Sequence, residues 1–345
     1  MRVLFELTHP KHYYQFRHII NVFHDDGHEI KIIARDKDVL LELLEKENHH
    51  FQIYGKHKKG LLGKIFNIAD IFFNYLKIVR KFKPDFIVSK ASLYAVLIKP
   101  FTGAKLVITP DSEVVWLTKK IVAPCSDVVI TPETYTIDYG KKHKRIDGFF
   151  EECYLAPAAF KPNKSVLTEA GINPDSSYFV LRFISWDANH DVGQFGFTDD
   201  ERLKLAEKLS KHGRVIISAE QKILDENLQN YQNPIPPNKM HHLLHYATMY
   251  IGDSQTMATE SALLGTPALR YNSFVGPDDM SNFIILEKDH GLLRNFSDFR
   301  ALMQAVDEML KKEDIKSECL GKRKTYFASK SDLNDQLIKA ILGEA

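Results

Sequence analysis

The sequence predicts an α/β protein made of two doubly wound parallel-sheet domains in tandem, each covered by helices. Three observations carry this. Short runs rich in Val, Ile, Leu and Phe alternate with segments of helical spacing, which is the rhythm of βαβ units. The rhythm breaks at Pro157, Pro162 and the polar run 161–165, then starts again at an apolar run over 178–184. The chain has 345 residues, and at roughly 150 residues per domain that makes about two domains.

Taken in order, residues 3–7 read as a buried strand, and 12–23 as a helix with Phe16, Ile19, Ile20 and Phe23 on one face before the turn at Asp26-Gly27. A strand at 29–34, a helix at 37–47, a strand at 51–54 and a long helix at 61–82 follow. Strands at 85–89, 105–109 and 127–131 complete the first series. After a linker near 150–165 come a strand at 178–184, a helix at 199–212, a strand at 214–218, a helix at 239–247 and a strand at 249–252. The next helix stops at Leu264-Gly265-Thr266-Pro267, where Gly supplies a left-handed cap and Pro cannot continue the helix. A strand at 268–271 and helices from Asp298 and Ser331 end the series. The expected domains are 1–155 and 156–345, with a last helix that can return to the first domain.

Composition narrows the function. Forty-six Lys and Arg against 45 Asp and Glu leave a net charge of +1, so nothing draws the whole chain to nucleic acid. The three cysteines, Cys125, Cys153 and Cys319, form no CxxC pair, which argues against a disulfide framework or a cysteine zinc site. The first residues are too short and too polar a run for a signal peptide, so a cytoplasmic location is expected. Segment 61–82 is apolar but interrupted by Asn67, Asp70 and Asn74, which argues against a spanning helix. It reads either as a helix packed on a sheet or as a basic amphipathic face resting on anionic lipid at the inner face of the membrane.

No GxGxxG and no GxxxxGK[ST] occurs, so dinucleotide enzymes and P-loop NTPases drop in rank. The run Gly252-Asp253-Ser254-Gln255-Thr256-Met257-Ala258-Thr259-Glu260 is more informative. A strand end, small hydroxyl residues and a helix start present backbone N–H groups and a positive dipole end to an anion, as a diphosphate requires. Ser254, Gln255 and Thr256 are placed to donate, and Glu260, one turn beyond Thr256, can accept from ribose hydroxyls. Ordinary helix capping with an exposed Glu fits the same pattern. His241 and His245 have i,i+4 spacing but no third ligand, so no metal site is expected.

This stretch resembles the nucleotide-sugar site of the GT-B superfamily, which includes MurG-type transferases and the UDP-N-acetylglucosamine 2-epimerases. The chain more closely resembles a family of uncharacterised bacterial and archaeal predicted glycosyltransferases related in structure to that epimerase, over 3 to about 293. The resemblance implies a GT-B-like fold of two Rossmann-like domains facing an interdomain cleft, the first on the acceptor side and the second binding the nucleotide sugar. It implies diphosphate contacts from Ser254, Gln255 and Thr256 and a ribose contact from Glu260. Where the family often has Gly-Gly, this chain has Ser254-Gln255.

Other stretches match that family. In Thr8-His9-Pro10-Lys11-His12, His12 matches the histidine of an Asn-Pro-Pro-His pattern and can act as general base or simply cap a helix. Asp111-Ser112-Glu113 resembles an Asp-x-Glu pair; Asp111 and Glu113 can bind acceptor, serve as base or cap a helix. Arg182 matches an arginine that can pair with phosphate or form a structural ion pair, and Glu220 ends a strand on the same side.

The expected function is therefore a nucleotide-sugar-dependent glycosyltransferase using a UDP-type donor in cell-envelope or capsular polysaccharide biosynthesis. The alternatives are a sugar-nucleotide epimerase like the UDP-N-acetylglucosamine 2-epimerase and a non-catalytic nucleotide-sugar-binding protein. The partners implied are the donor, as substrate, and an acceptor saccharide or lipid-linked saccharide. No tightly bound cofactor and no nucleic acid is expected.

Overall fold

The computed structural model describes residues 1–36, 39–56, 61–113, 115–186, 194–219, 225–232, 235–277 and 279–344. The chain divides into two compact units: Met1–Tyr154 with Lys330–Ala345, and Leu155–Ser329.

In the first unit, β1 (Arg2–Leu7), β2 (Glu29–Asp36), β3 (Phe51–Lys56), β4 (Phe86–Ser89), β5 (Lys105–Ile108), β6 (Val128–Pro132) and β7 (His143–Ile146) form a seven-stranded sheet of order β3-β2-β1-β4-β5-β6-β7. Every pair is parallel. Strands covered on both faces read as near-continuous apolar runs, which is why Val3, Leu4, Phe5 and Leu7 are all fully buried. Helix α1 (Pro10–Asp25) turns Tyr13, Phe16, Ile19, Ile20 and Phe23 inward, and its cap is His9, whose ring accepts from the Lys11 N–H at 3.1 Å. Helices α2 (Leu40–Lys46) and α3 (Leu61–Phe82) follow β2 and β3.

Helix α3 is a packed helix. Ile71, Tyr75, Leu76, Ile78 and Val79 are buried and join Leu4, Ile33, Ile87 and Ile108 in one core. Ile68 and Phe73 stay exposed. Among the described residues no helix is long and apolar enough to cross a membrane. Helix α4 (Leu93–Ile98), capped by Ser92, packs beside α3, and the C-terminal helix Leu333–Leu342 belongs to this unit.

The second unit is a five-stranded sheet of β8 (Tyr178–Phe183), β9 (Arg214–Ala219), β10 (Met249–Gly252), β11 (Ala268–Tyr271) and β12 (Leu293–Phe296). Its order is β12-β11-β10-β8-β9, again wholly parallel. Helix α5 (Asp199–Ser210) opens with a complete capping box, Thr198 with Glu201, and α6 (Met240–Tyr246) leads into β10. Helix α7 (Gln255–Leu263) leaves β10 and ends before Gly265, which has φ +73°. That is the left-handed position for which glycine is suited.

Candidate functional site

The first sheet changes winding direction between β1 and β4, and ligands in such folds bind beyond the carboxyl ends of the strands at this switch point. A cavity of about 320 Å³ lies there, lined by Glu6, His12, Arg35, Ser89, Lys90 and Asp111 among others. His12 and Asp111 therefore line the same cavity.

Asp111, its side chain one-third exposed, is the centre of a largely buried charge cluster. Its Oδ2 lies 2.7 Å from Lys11 Nζ and 3.2 Å from Lys90 Nζ, and Lys11 also reaches Glu151 at 2.7 Å. Lys90 donates to Gln15 Oε1 at 2.8 Å and sits 4.0 Å from the centre of the Phe150 ring; Gln15 in turn donates to Thr109 at 3.0 Å. Burial opposes ionisation of Asp111, but the two ammonium groups outweigh it and hold the carboxyl far below its ordinary range. Burial likewise opposes the charge on Lys11, and the carboxylates of Asp111 and Glu151 overcome it. At Lys90 burial wins, and its pKa falls to about 8.

His12 is neutral near pH 7. Burial, reinforced by His9 and Lys90, lowers its pKa well below the ordinary value. Its Nδ1 accepts the backbone N–H of Thr8 at 3.2 Å, which leaves the ring proton on Nε2. The ring is thus set as a donor rather than as a base.

Glu113 does not join this cavity wall. Its Oε1 accepts the Thr136 N–H at 2.6 Å, so it ties down the loop after β6. Below the cavity, Glu6 is 1% exposed and accepts from Tyr54 at 2.6 Å, Ser92 at 2.6 Å and Tyr75 at 3.3 Å. Burial raises its pKa, against those three hydrogen bonds.

The second unit carries the strand-to-helix turn. Ser254 caps α7, its hydroxyl accepting from Met257 N at 3.3 Å, and Gln255 and Thr256 form the first turn. Gly252 lies in register with Arg182 on β8 and with Arg270 on β11, so two arginines flank a position with no side chain. A Cβ at Gly252 would collide with the Tyr250 hydroxyl and the Arg182 carbonyl. Arg182 donates to Ser218 at 2.8 Å. Arg270 is fully buried, ion-paired to Asp279, bonded to Asn295 and stacked 3.6 Å from the centre of the Phe283 ring.

Asp253, fully buried, accepts from Ile184 N at 2.8 Å and from the Trp186 indole at 3.3 Å; burial lifts its pKa to about 6 against these bonds. Glu260 is not exposed. It pairs with His241, Nε2 to Oε1 3.2 Å, and both side chains are buried. His245 instead bonds the Leu264 carbonyl at 3.1 Å, and among the described residues no His, Cys, Asp and Glu cluster suits a metal ion. Glu220 lies outside the described residues.

Lys11, Lys90, Glu151, Asp253 and Arg270 were not singled out from the sequence. Lys11 stands beside His12, and Lys90 follows a strand end. Only tertiary structure reveals that they converge on Asp111.

No curated protein matches the chain. Among solved structures, the UDP-GlcNAc 2-epimerase from Neisseria meningitidis, bound to UDP-GlcNAc, is 13% identical with a TM-score of 0.67, covering 99% of this chain and 100% of the other. MurG from Acinetobacter baumannii is 15% identical with a TM-score of 0.60 and the same coverage. The spinosyn forosaminyltransferase SpnP is 13% identical at 0.65, covering 99% of each chain. The likeness spans both sheets and identifies the fold as GT-B, two Rossmann-like domains. A family model matches residues 1–317, and the chain belongs to that family, described as protein of unknown function (DUF354).

Proposed function

We propose that the protein is a glycosyltransferase that takes a UDP-type sugar donor and passes the sugar to an acceptor hydroxyl in cell-envelope or capsular polysaccharide biosynthesis. One observation carries this reading: the Ser254-capped start of α7, set at the end of β10 where Gly252 lies in register with Arg182 and Arg270 on the neighbouring strands. Backbone N–H groups of Gln255 and Thr256, the helix dipole and the Arg182 guanidinium together offset charge on a departing diphosphate. Glu260, oriented by His241, receives the ribose hydroxyls.

In the transfer, the bond from the anomeric carbon to the diphosphate oxygen breaks and the bond to the acceptor oxygen forms. The acceptor proton goes to a base in the first unit. Asp111, held ionised by two lysines, is too weak for that task, and His12 presents Nε2–H. Lys90, with its pKa of about 8, has a free-base fraction near neutral pH and takes this role. His12 and Asp111 position the acceptor and the lysine.

Several similar structures are UDP-GlcNAc 2-epimerases, which brings forward a second reading, epimerisation of the same kind of donor. UDP-GlcNAc incubated with the protein alone and followed by NMR separates the two. An epimerase interconverts it unaided. A transferase leaves it intact apart from slow hydrolysis and releases UDP when membrane-extracted saccharide precursors are added.

We also propose that the exposed face of α3 meets anionic lipid at the inner face of the membrane. Ile68, Phe73, Leu97 and Phe101 are exposed, Phe72 bridges Phe73 and Phe101 at ring distances of 5.5 and 5.7 Å, and Lys77, Arg80 and Lys81 are exposed on the same helix. Flotation with phosphatidylglycerol vesicles, absent with phosphatidylcholine, is the expected result.

A further inference from the structure

The cavity at the β1–β4 switch point has an uneven hydrogen-bond balance. Its acceptors are largely occupied: Glu6 receives three hydroxyl groups, and one oxygen of Asp111 receives two ammonium groups. Its donors are not. Ser89 is 1% exposed, yet among the described residues its hydroxyl has no partner and neither does the buried Nε of Arg35. Arg35 forms no ion pair among the described residues; its guanidinium lies 5.7 Å from the centre of the Tyr94 ring. His12 adds an Nε2–H once Nδ1 is engaged by Thr8. Buried donors left unpaired are costly, so groups of this kind are kept where a ligand supplies the acceptor.

We infer that this cavity binds a monosaccharide-sized acid, its carboxylate received by Arg35, Ser89 and His12 and its hydroxyls by the remaining polar wall. At about 320 Å³ the space is at the small end of ligand pockets and takes one sugar ring rather than a chain. A carboxylate fits better than a phosphate. The Glu6 and Asp111 carboxyl groups line the same cavity, so a dianion meets more repulsion there than a monoanion does. As the identity of the acceptor, a sugar acid or an acidic sugar residue, this rests on the transferase reading. As a binding site it does not.

Saturation-transfer NMR and calorimetry on the full chain, without nucleotide, test it with three probes: glucuronate, glucose and glucose 6-phosphate. Glucuronate binding at millimolar or lower concentration, at least fivefold tighter than either of the others, is expected. Arg35→Gln and Ser89→Ala, each checked for native circular dichroism, are expected to weaken it by tenfold or more and by about threefold. Equal binding of glucose, tighter binding of glucose 6-phosphate, or no binding of glucuronate by folded wild-type protein overturns the inference. UDP titration of the same sample is read separately. UDP binding without glucuronate binding removes the inference alone, and glucuronate binding without UDP binding removes the donor reading alone.

Discussion

Glu6→Ala is the perturbation whose cost the structure makes most explicit. The carboxylate sits in β1 at 1% exposure and accepts three hydroxyl donors. Tyr54 and Tyr75 are themselves fully buried, whereas Ser92 is half-buried. Each buried donor left unsatisfied costs about 1–3 kcal/mol. The Tyr75 bond is long and Ser92 can find water, so both count at the low end. The sum is about 3–5 kcal/mol, a large part of the roughly 5–15 kcal/mol that holds a domain folded.

Glu6→Gln keeps an acceptor and is expected to cost about 1 kcal/mol. Urea unfolding by circular dichroism gives the totals, and hydrogen exchange of the β1 amides assigns the loss to the first unit. An Ala variant within about 0.5 kcal/mol of wild type would mean that the three hydroxyls do not depend on the carboxylate.

The same residue fixes a pH dependence. Burial raises the Glu6 pKa above its unfolded value of 4.5, so its protonation contributes stability that is fully present below pH 4.5 and is lost as pH rises through the folded value. The stability gap between wild type and Glu6→Gln should therefore narrow as pH rises from 4.5. A gap that widens contradicts the burial argument.

Asp111→Asn removes a carboxylate that holds the Lys90 pKa up, so the pH at which kcat/KM reaches its plateau should move below that of the wild type; an unchanged profile excludes Lys90 as the base. Ser254→Ala deletes the α7 cap and should cost about 1 kcal/mol in thermal melts, with Ser254→Asp restoring most of it. Gly252→Ala drives a methyl group into the Tyr250 hydroxyl and the Arg182 carbonyl and should destabilise by about 1–3 kcal/mol in urea.

The parallel sheets were legible because their buried strands are short apolar runs, as in Val3–Phe5 or Val180–Leu181, and because Gly265-Thr266-Pro267 punctuates a helix end with unambiguous chemistry. Strand β7, with the sequence His-Lys-Arg-Ile, was not legible. It is an edge strand, half-buried, whose side chains carry no apolar alternation. The helix Ile315–Phe327 was missed for a similar reason: only Ile315, Cys319 and Tyr326 are buried, too sparse a stripe to register as periodic.

At the site, sequence order misled where chemistry depends on convergence. Asp111 and Glu113 are two residues apart and look like one pair, yet one anchors two lysines and the other binds the Thr136 backbone. His241 was visible only as half of an unconvincing metal pair; its partner is Glu260, on the next long helix.

The proposed donor site is the start of α7 in the second unit, where a nucleoside diphosphate would bind. Calorimetric titration with UDP, then GDP and CMP, tests it directly, repeated with Glu260→Ala and Arg182→Ala. Micromolar UDP binding is expected, weakened at least tenfold, about 1.4 kcal/mol, by either substitution. Folded wild-type protein that binds none of the three nucleotides would contradict it.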